Sequence, residues 1–495
     1  MNAPAVSTLD SRWQSISADP YPLLIDGRLM PAASGLTFPA ISPRDDRVVA
    51  QIAEATAQDV DAAVRTARSA ADGAWGRTTP KDRAAALGRI ARIVESHADE
   101  LAFLEAIDQG TPISTALHGD IGMSLDSLAF FAGRALSLSG AAAVLADGSG
   151  IHHELLEPLG VVVEILPWNG PLWTGVQRLA AILAAGNAAI VKPAQLASLA
   201  FMRLAQLLLE ADLPPGAVGV LSGPGSSVGQ ALVRDPRVDL VSLTGGIETG
   251  IQVLSQAAAT MKRVSLELGG KNPNIVFADA DFDLAAMWTT VGAFSNTGQI
   301  CVCGSRALVE RPIYERFVEE LTQRAQALNV GDPLDPTTEL GPVIGREHAA
   351  KIWSYIELGA GESRLVTGGQ PYTDPERSAG CYIPPTIFAD ATPACRTARE
   401  EIFGPVLTVM PFDSEDEALS IANDTSYGLA SGVFTRDLDR AWRVSRRLQA
   451  GQVYVNQWFG PVLEAPSQGY RQSGYGAVGL EKYLHGKNVY FGVRG

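Results

Sequence analysis

Two side chains in the middle of this chain could together form a covalent adduct on a carbonyl carbon and then release it. Cys301 ends the segment Phe294-Ser295-Asn296-Thr297-Gly298-Gln299-Ile300-Cys301. A thiolate attacks carbonyl carbon, and a free thiol with a pKa of about 8.5 must first lose its proton. The Gly/Asn/Thr/Gln-rich run before Cys301 reads as a connection between two elements, where a nucleophile is accessible; a cysteine taken alone is more often a small buried hydrophobe. Glu267, in Val264-Ser265-Leu266-Glu267-Leu268-Gly269-Gly270-Lys271, ends a strand before a glycine pair. A carboxylate among apolar residues is desolvated and drifts towards general-base pKa values; the alternative is a strand-end glutamate in solvent. Asn169, in Pro167-Trp168-Asn169-Gly170-Pro171, follows a buried strand, and its amide could donate to an oxyanion. A turn-forming asparagine is the other explanation.

Two glycine-rich turns could hold a nucleotide. Gly223-Pro224-Gly225-Ser226-Ser227-Val228-Gly229 follows a strand and opens a helix, as does Leu243-Thr244-Gly245-Gly246-Ile247-Glu248-Thr249-Gly250. Free N–H groups and the helix dipole at such a terminus suit a pyrophosphate. One turn of this kind could bind nothing; two in successive units favour a nucleotide site.

Strands alternating with longer helices must position these residues. Gly160–Leu166 reads as a short buried strand, followed by a helical run to Ala185 and a strand over Ala188–Lys192. Ser198 caps a helix that stops before Pro214-Pro215-Gly216, and strands Ala217–Leu221 and Val238–Leu243 each lead into a glycine turn and a helix. This pattern predicts βαβ units with a parallel sheet. It resumes near Asn274–Phe277 and Arg306–Glu310 with a helix over Pro312–Leu328, a second α/β unit. Asp59–His97 reads as two amphipathic helices, and the first twenty or so residues as a loose arm.

The 495 residues suggest two or three domains, and a formal charge of −15 argues against a nucleic-acid partner. Cys301, Cys303, Cys381 and Cys395 are too few for a disulfide scaffold, and the Cys301/Cys303 spacing is not that of a zinc site, so no metal is expected. The N-terminus lacks a signal-peptide pattern. The longest apolar stretch, around Leu179–Val191, is too short for the roughly 20 residues of a membrane span. A cytoplasmic protein with no membrane partner is the expectation.

Taken together, these segments resemble the aldehyde dehydrogenase superfamily, from about Leu24-Ile25-Asp26-Gly27 to Tyr490. Leu266-Glu267-Leu268-Gly269-Gly270-Lys271 and Gly298-Gln299-Ile300-Cys301 match its two signature patterns. Pro167-Trp168-Asn169, Val191-Lys192-Pro193-Ala194 and Glu400-Glu401-Ile402-Phe403-Gly404-Pro405-Val406 match further motifs in register. The resemblance implies that Cys301 is the nucleophile, Glu267 the general base, and Asn169, with the Cys301 backbone N–H, the oxyanion donor. It places Lys192 on the adenine ribose of NAD, Glu401 and Phe403 on the nicotinamide ribose and ring, and Gly225, Gly229, Gly245 and Gly246 along adenine and pyrophosphate. Leu166, Pro167, Trp168, Gln195 and Leu268 complete the implied cofactor contacts. The implied reaction is NAD(P)-dependent oxidation of an aldehyde to a carboxylate through a thiohemiacetal and a thioester. The rivals are a CoA-acylating relative, a thiol hydrolase and a silent scaffold. Glu267 in its motif disfavours the first, the lack of a His motif the second, and the presence of all three catalytic residues the third.

The chain also departs from the family pattern. Gln195 stands where NAD-preferring members carry Glu, so NADP becomes an alternative cofactor. The C-terminal segment reads Pro466-Ser467-Gln468-Gly469-Tyr470-Arg471, and the usual Arg-Glu pair after Ser473-Gly474-Tyr475-Gly476 is missing. The implied fold is a Rossmann-like cofactor domain (21–134 and 157–265), an α/β catalytic domain (266–470) and a small β oligomerisation sheet (135–156 and 471–495), after an arm over 1–20. A homodimer or homotetramer is implied. The implied aldehyde tunnel is lined by Gly170, Trp173, Thr174, Gln177, Ile300, Val302, Trp458 and Phe459. Gly170 predicts a wide mouth, Trp173, Trp458 and Phe459 flat walls, and Thr174 and Gln177 hydrogen bonds. The expected substrate is a planar unsaturated or aromatic aldehyde with a distal polar group, such as a hydroxybenzaldehyde or a muconic-type semialdehyde of aromatic breakdown.

Overall fold

The computed structural model describes residues 20–460 and 463–492. The N-terminal arm therefore lies almost wholly outside the described residues. Two large sheets dominate. In the first, five parallel strands run in the order Arg263–Glu267, Leu240–Thr244, Val161–Ile165, Ala188–Lys192 and Val218–Val220. Leu23–Ile25 and Arg28–Met30 extend it antiparallel at one edge. These strands are near-continuous apolar runs because helices cover both faces of the sheet. Glu164, fully buried in the strand Val161–Ile165, breaks that rule.

The order of the strands reverses beside Val161–Ile165. From there the chain steps outward through Ala188–Lys192 and Val218–Val220, then returns to the other side with Leu240–Thr244. Crevices at such a switch point, outside the carboxyl ends of the strands, are where open α/β sheets bind ligands. Lys192 and Glu267 end two of these strands, and Asn169, Gly245 and Gly246 lie just past the ends of two others.

The second sheet has seven strands in the order Arg364–Thr367, Thr386–Ala389, Val406–Phe412, Arg306–Glu310, Pro273–Val276, Ala430–Phe434 and Gln452–Val455. All pairs are parallel except the first. A three-stranded antiparallel sheet joins Ala142–Val144 and Gly150–Pro158 to Leu484–Gly492.

Two segments lie apart from the sheet expected of them. Within 135–156, the helix Ile121–Ser137 runs past the expected boundary before the strands begin. Within 471–495, Gly474–Tyr475 pairs antiparallel with Leu266–Glu267 and caps the edge of the eight-stranded sheet. Ser473 reinforces this seam: its carbonyl accepts from Leu268 N at 2.9 Å and its hydroxyl donates to Gly269 O at 2.7 Å.

Among the described residues no helix is long and apolar enough to cross a membrane.

Candidate active site

The segment carrying Cys301 is an unusual piece of backbone. The helix Phe282–Phe294 ends, and Asn296, Thr297 and Gly298 follow with φ of 49°, 55° and 72°. Left-handed geometry suits Asn and Gly but costs a β-branched Thr on the order of 1–3 kcal/mol, so the surroundings must impose it. They do so at several points. Asn296 Nδ2 donates to Asn169 O at 3.0 Å, Thr297 Oγ1 to Gly341 O at 3.0 Å, and Ile344 N to Gln299 Oε1 at 2.9 Å. A Cβ on Gly298 would stand 2.1 Å from Gly404 O, so only glycine fits there.

Cys301 leaves this turn half-buried with a free thiol, whereas Cys303 is buried at 5% exposure. Buried Asn272 locks both: its Nδ2 donates to Cys301 O at 2.9 Å and to Cys303 O at 2.8 Å. Burial pushes the Cys301 thiol up to about 12, helped by the carboxylates of Glu401 and Glu267, while the N–H groups of Val302 and Cys301 pull the other way. At rest it is therefore a neutral thiol that needs a base.

Glu267 ends its strand beside Gly474. Burial raises its pKa, with Arg178 and then Lys482 opposing and Glu164 adding to the rise. Lys482 reaches under the sheet, where its Nζ donates to Ser242 Oγ at 3.1 Å and Ser265 Oγ at 3.3 Å. Those two serines and Glu164 sit side by side on adjacent strands. Burial pushes Lys482 itself down to about 7.

Asn169 spends one amide hydrogen on Gln299 O at 2.8 Å, which ties it to the nucleophile's own segment. Its second amide hydrogen is left for an incoming oxygen.

On the nucleotide side, Gly225, Gly229, Val233, Ile165, Thr249 and Val253 line a cleft of about 200 Å³. A side chain on Gly225 would project into open space, so its backbone can be approached closely. Lys192 lies beneath Gly229 and donates to Pro193 O at 3.2 Å, and burial pushes its pKa down to about 8. Gly245 and Gly246 precede the helix Ile247–Ala257, and Gln195 is exposed. Leu166 is buried and joined to Lys192 O through its N–H at 2.9 Å, and Pro167 beside it is half-buried. Leu268 packs against Gly250.

Glu401 accepts from Gly270 N at 2.9 Å, and a Cβ on Gly269 would stand 2.2 Å from its carboxylate. Phe403, at φ 61°, meets the Trp168 ring edge-on at 5.1 Å. His348 completes that cluster, its Nε2 2.6 Å from Phe403 O, and burial pushes its pKa down to about 4, so it is a neutral ring.

The substrate side corrects two expectations. Gly170 does not leave a wide mouth: a Cβ there would stand 2.4 Å from Trp173 Nε1, so the Trp173 indole occupies the vacated space. Trp458 is not a tunnel wall. It is fully buried, fills the gaps left by Gly292, Gly304 and Gly432, and donates from Nε1 to Val302 O at 3.0 Å. Its ring supports the nucleophile segment from behind, with Val302 and Phe459 half-buried against it.

Trp173 and Gln177 do line a cavity of about 520 Å³, with Phe130, Leu463, Asp126 and Glu464. Thr174 is buried at 6% exposure and Ile300 is half-buried, and neither lines that cavity. Sequence reasoning missed Asp126, Phe130 and Glu464, together with Asn272, His348 and Lys482.

Comparison with known proteins agrees with this arrangement. The aldehyde dehydrogenase family model matches residues 30–489. A betaine aldehyde dehydrogenase of Cereibacter sphaeroides is 41% identical over 474 residues, 95% of this chain and 96% of its own. Aldehyde dehydrogenase family 2 member C4 of Arabidopsis thaliana is also 41% identical, over 94% of each chain. Among solved structures, a betaine aldehyde dehydrogenase from Staphylococcus aureus in complex with NAD+ matches at TM-score 0.95 and 34% identity, covering 98% of both chains. A P. syringae indole-3-acetaldehyde dehydrogenase in complex with NAD+ and IAA matches at TM-score 0.95 and 40% identity, covering 98% of this chain and 99% of that one. A match of this extent makes the chain a member of the aldehyde dehydrogenase family.

Proposed function

We propose that the protein oxidises an aldehyde to its carboxylate with NAD, through a thioester on Cys301. The observation that carries this reading is a half-buried Cys301 thiol within electrostatic reach of the desolvated Glu267 carboxylate, on a segment hydrogen-bonded to the Asn169 amide. Cys301 gives its proton to solvent water and attacks the aldehyde carbon as the thiolate. Asn169 and the Cys301 N–H then hold the new oxyanion, a contact worth roughly 3 kcal/mol for one well-placed donor. NAD, when bound, accepts the two electrons of the aldehyde carbon as hydride. Glu267 next takes a proton from water, which attacks the thioester and frees the carboxylate. The open backbone at Gly225, the glycine pair before Ile247–Ala257 and the Glu401 carboxylate suit an adenine, a pyrophosphate and a ribose. Release to water rather than to CoA follows from the position of Glu267 near the thiol.

For the substrate, the favoured class is a flat aromatic or unsaturated aldehyde whose far end is neutral or cationic. Trp173 and Phe130 supply flat apolar surface, while Asp126 and Glu464 are carboxylates in a cavity that, among the described residues, no Lys, Arg or His lines. An aromatic aldehyde or an ammonium group suits such a lining, and a carboxylated semialdehyde of the muconic type is repelled by it. The names of the relatives, which include a betaine aldehyde and an indole-3-acetaldehyde dehydrogenase, are in keeping with this. Gln177, at 8% exposure, lines the same cavity and is expected to meet a polar substrate group, since an unpaired buried amide costs on the order of 1–3 kcal/mol. A screen of NADH formation over aromatic, ammonium, carboxylated and saturated aldehydes tests the reading. Aromatic or ammonium compounds should lead in kcat/KM, and Gln177→Leu should reorder the ranking. A lead for hexanal or for a carboxylated semialdehyde would sink it.

Gln195 is expected to relax cofactor choice. A neutral amide still hydrogen-bonds a ribose hydroxyl but does not repel a 2′-phosphate. NAD should work best with measurable NADP turnover, and Gln195→Glu should suppress the NADP activity by about tenfold. A wild-type enzyme inert with NADP contradicts this.

We also read the protein as a cytoplasmic homodimer or homotetramer. The exposed apolar side chains of Val144, Ile151, Leu155, Tyr490 and Phe491 on the three-stranded sheet support association.

A further inference from the structure

The helix Ala98–Gln109 belongs to neither glycine turn and to no signature pattern, yet it and the turn after it reach the first turns of two helices and the turn before Cys301. Glu105 and Asp108, one turn apart and both buried, each supply a missing helix cap. The helix Pro171–Ala185 begins at Gly170, which has no side chain to accept the orphan N–H groups of the first turn. Glu105 Oε1 accepts from Leu172 N at 3.1 Å in its place. The helix Leu199–Leu207 begins at Ser198, whose hydroxyl caps nothing, and Asp108 Oδ2 accepts from Leu199 N at 2.7 Å. Just past the end of the same helix, Thr111 Oγ1 donates to Asn296 Oδ1 at 3.5 Å, and Asn296 Nδ2 donates to Asn169 O.

These anchor points precede or follow functional residues by only a few positions. Leu172 lies three residues after Asn169 and next to Trp173. Leu199 follows the Lys192–Gln195 loop. Asn296 sits in the strained turn before Cys301. One rigid helix therefore sets the oxyanion donor, the cofactor loop and the nucleophile turn relative to one another.

We propose that Glu105, Asp108 and Thr111 are positioning residues: Glu105 and Thr111 hold Asn169 against Cys301 for acylation, and Asp108 holds the Lys192 loop for the dinucleotide. Burial and the neighbouring Asp120 push the Glu105 carboxyl well above the usual carboxylate range, and its Oε1 accepts from Leu172 N with or without a proton on the other oxygen. An amide can do the same, which separates capping from charge.

The inference rests on the reading that Cys301 and Asn169 carry acylation; a Cys301→Ala enzyme that still forms NADH from aldehyde would overturn that reading and leave the capping geometry untouched. The test measures the acylation burst and the Kd for NAD in folded variants of the whole enzyme. Glu105→Met and Thr111→Val should each slow the burst roughly tenfold or more, with NAD affinity within about twofold of wild type. Glu105→Gln should restore the burst. Asp108→Leu should weaken NAD while leaving the burst at saturating NAD, and Asp108→Asn should restore binding. In an Asn169→Ala background, Glu105→Met should add little, because both act on the same donor. The proposal is overturned if Glu105→Gln is as slow as Glu105→Met, if Glu105→Met and Asp108→Leu lose burst and NAD affinity alike, or if the effects of Glu105→Met and Asn169→Ala simply add. Should Glu105→Met not fold, Thr111→Val, which replaces the hydroxyl by a methyl at nearly constant shape, decides alone: an unchanged burst overturns the proposal.

Discussion

Cys301→Ala is expected to remove aldehyde oxidation, by about four orders of magnitude or more, while NAD still binds. The thiol is the atom to which the acyl group becomes attached, so no neighbour can replace it without moving the backbone. Cys303→Ala is expected to keep most of the activity. Cys303 is two residues on and equally a thiol, but it is buried with its sulfur against the Ser295 carbonyl. The comparison is made with a burst assay, a titration of NAD binding and a melting curve for each variant. A folded but inactive Cys303→Ala would transfer the nucleophile's role to the wrong residue and overturn the reading.

Glu267→Gln should separate the two halves of the reaction. With Cys301 and Asn169 intact, a single turnover of NADH still appears, and the acyl-enzyme then waits for a water that nothing activates. Steady-state turnover should fall by about 10²–10⁴-fold, the usual range for a lost general base. Disappearance of the burst as well would show that Glu267 instead takes the Cys301 proton. The wild-type pH profile carries a second signature. Deacylation needs Glu267 ionised, so it fails as pH falls through the Glu267 pKa. Burial raises that pKa and Arg178 and Lys482 restrain the rise. Lys482→Met removes one restraint and should move the acidic limb to higher pH. A limb that stays in place means that Lys482 does not govern the base.

The parts of this molecule legible in the sequence are those whose signal is local. Strand Val161–Ile165 and strand Ala188–Lys192 are short apolar runs bounded by Gly and Pro, and they fall within a residue or two of the reading. Cys301 and Glu267 stand inside compact motifs, and the charge of Glu267 reaches the Cys301 thiol. What could not be read arrives through tertiary packing. Lys482 sits in a C-terminal stretch where the family's usual pair is missing, and nothing nearby marks it as facing Glu267. Asp126 and Phe130 lie on a helix that meets the cavity only because it packs along Pro171–Ala185. The helix Ala98–Gln109 escaped because residues 101–109 are buried on every side, so no amphipathic period announces it. Trp458 and Gly170 misled for one reason. An aromatic side chain looks like a wall, and a glycine like a gap, until what packs on each is seen: Gly292, Gly304 and Gly432 make room for Trp458, and the Trp173 indole fills the space beside Gly170.

The short strand Gly474–Tyr475 sets a condition on how the enzyme comes to exist. It closes the edge beside the strand that carries Glu267, and its neighbour Ser473 is bonded to Gly269 across 204 residues of chain. Contacts of such sequence separation are slow to form, because a long loop must be ordered before they repay it. On the ribosome the nucleophile, the glycine turns and the general base all emerge well before the residues that seal this edge. Until then the strand Arg263–Glu267 presents unpaired N–H and C=O groups, an open template for another chain. Nascent molecules, or molecules clipped before Gly474, should therefore aggregate through that strand, and its edge closes only once Gly474–Tyr475 has been released.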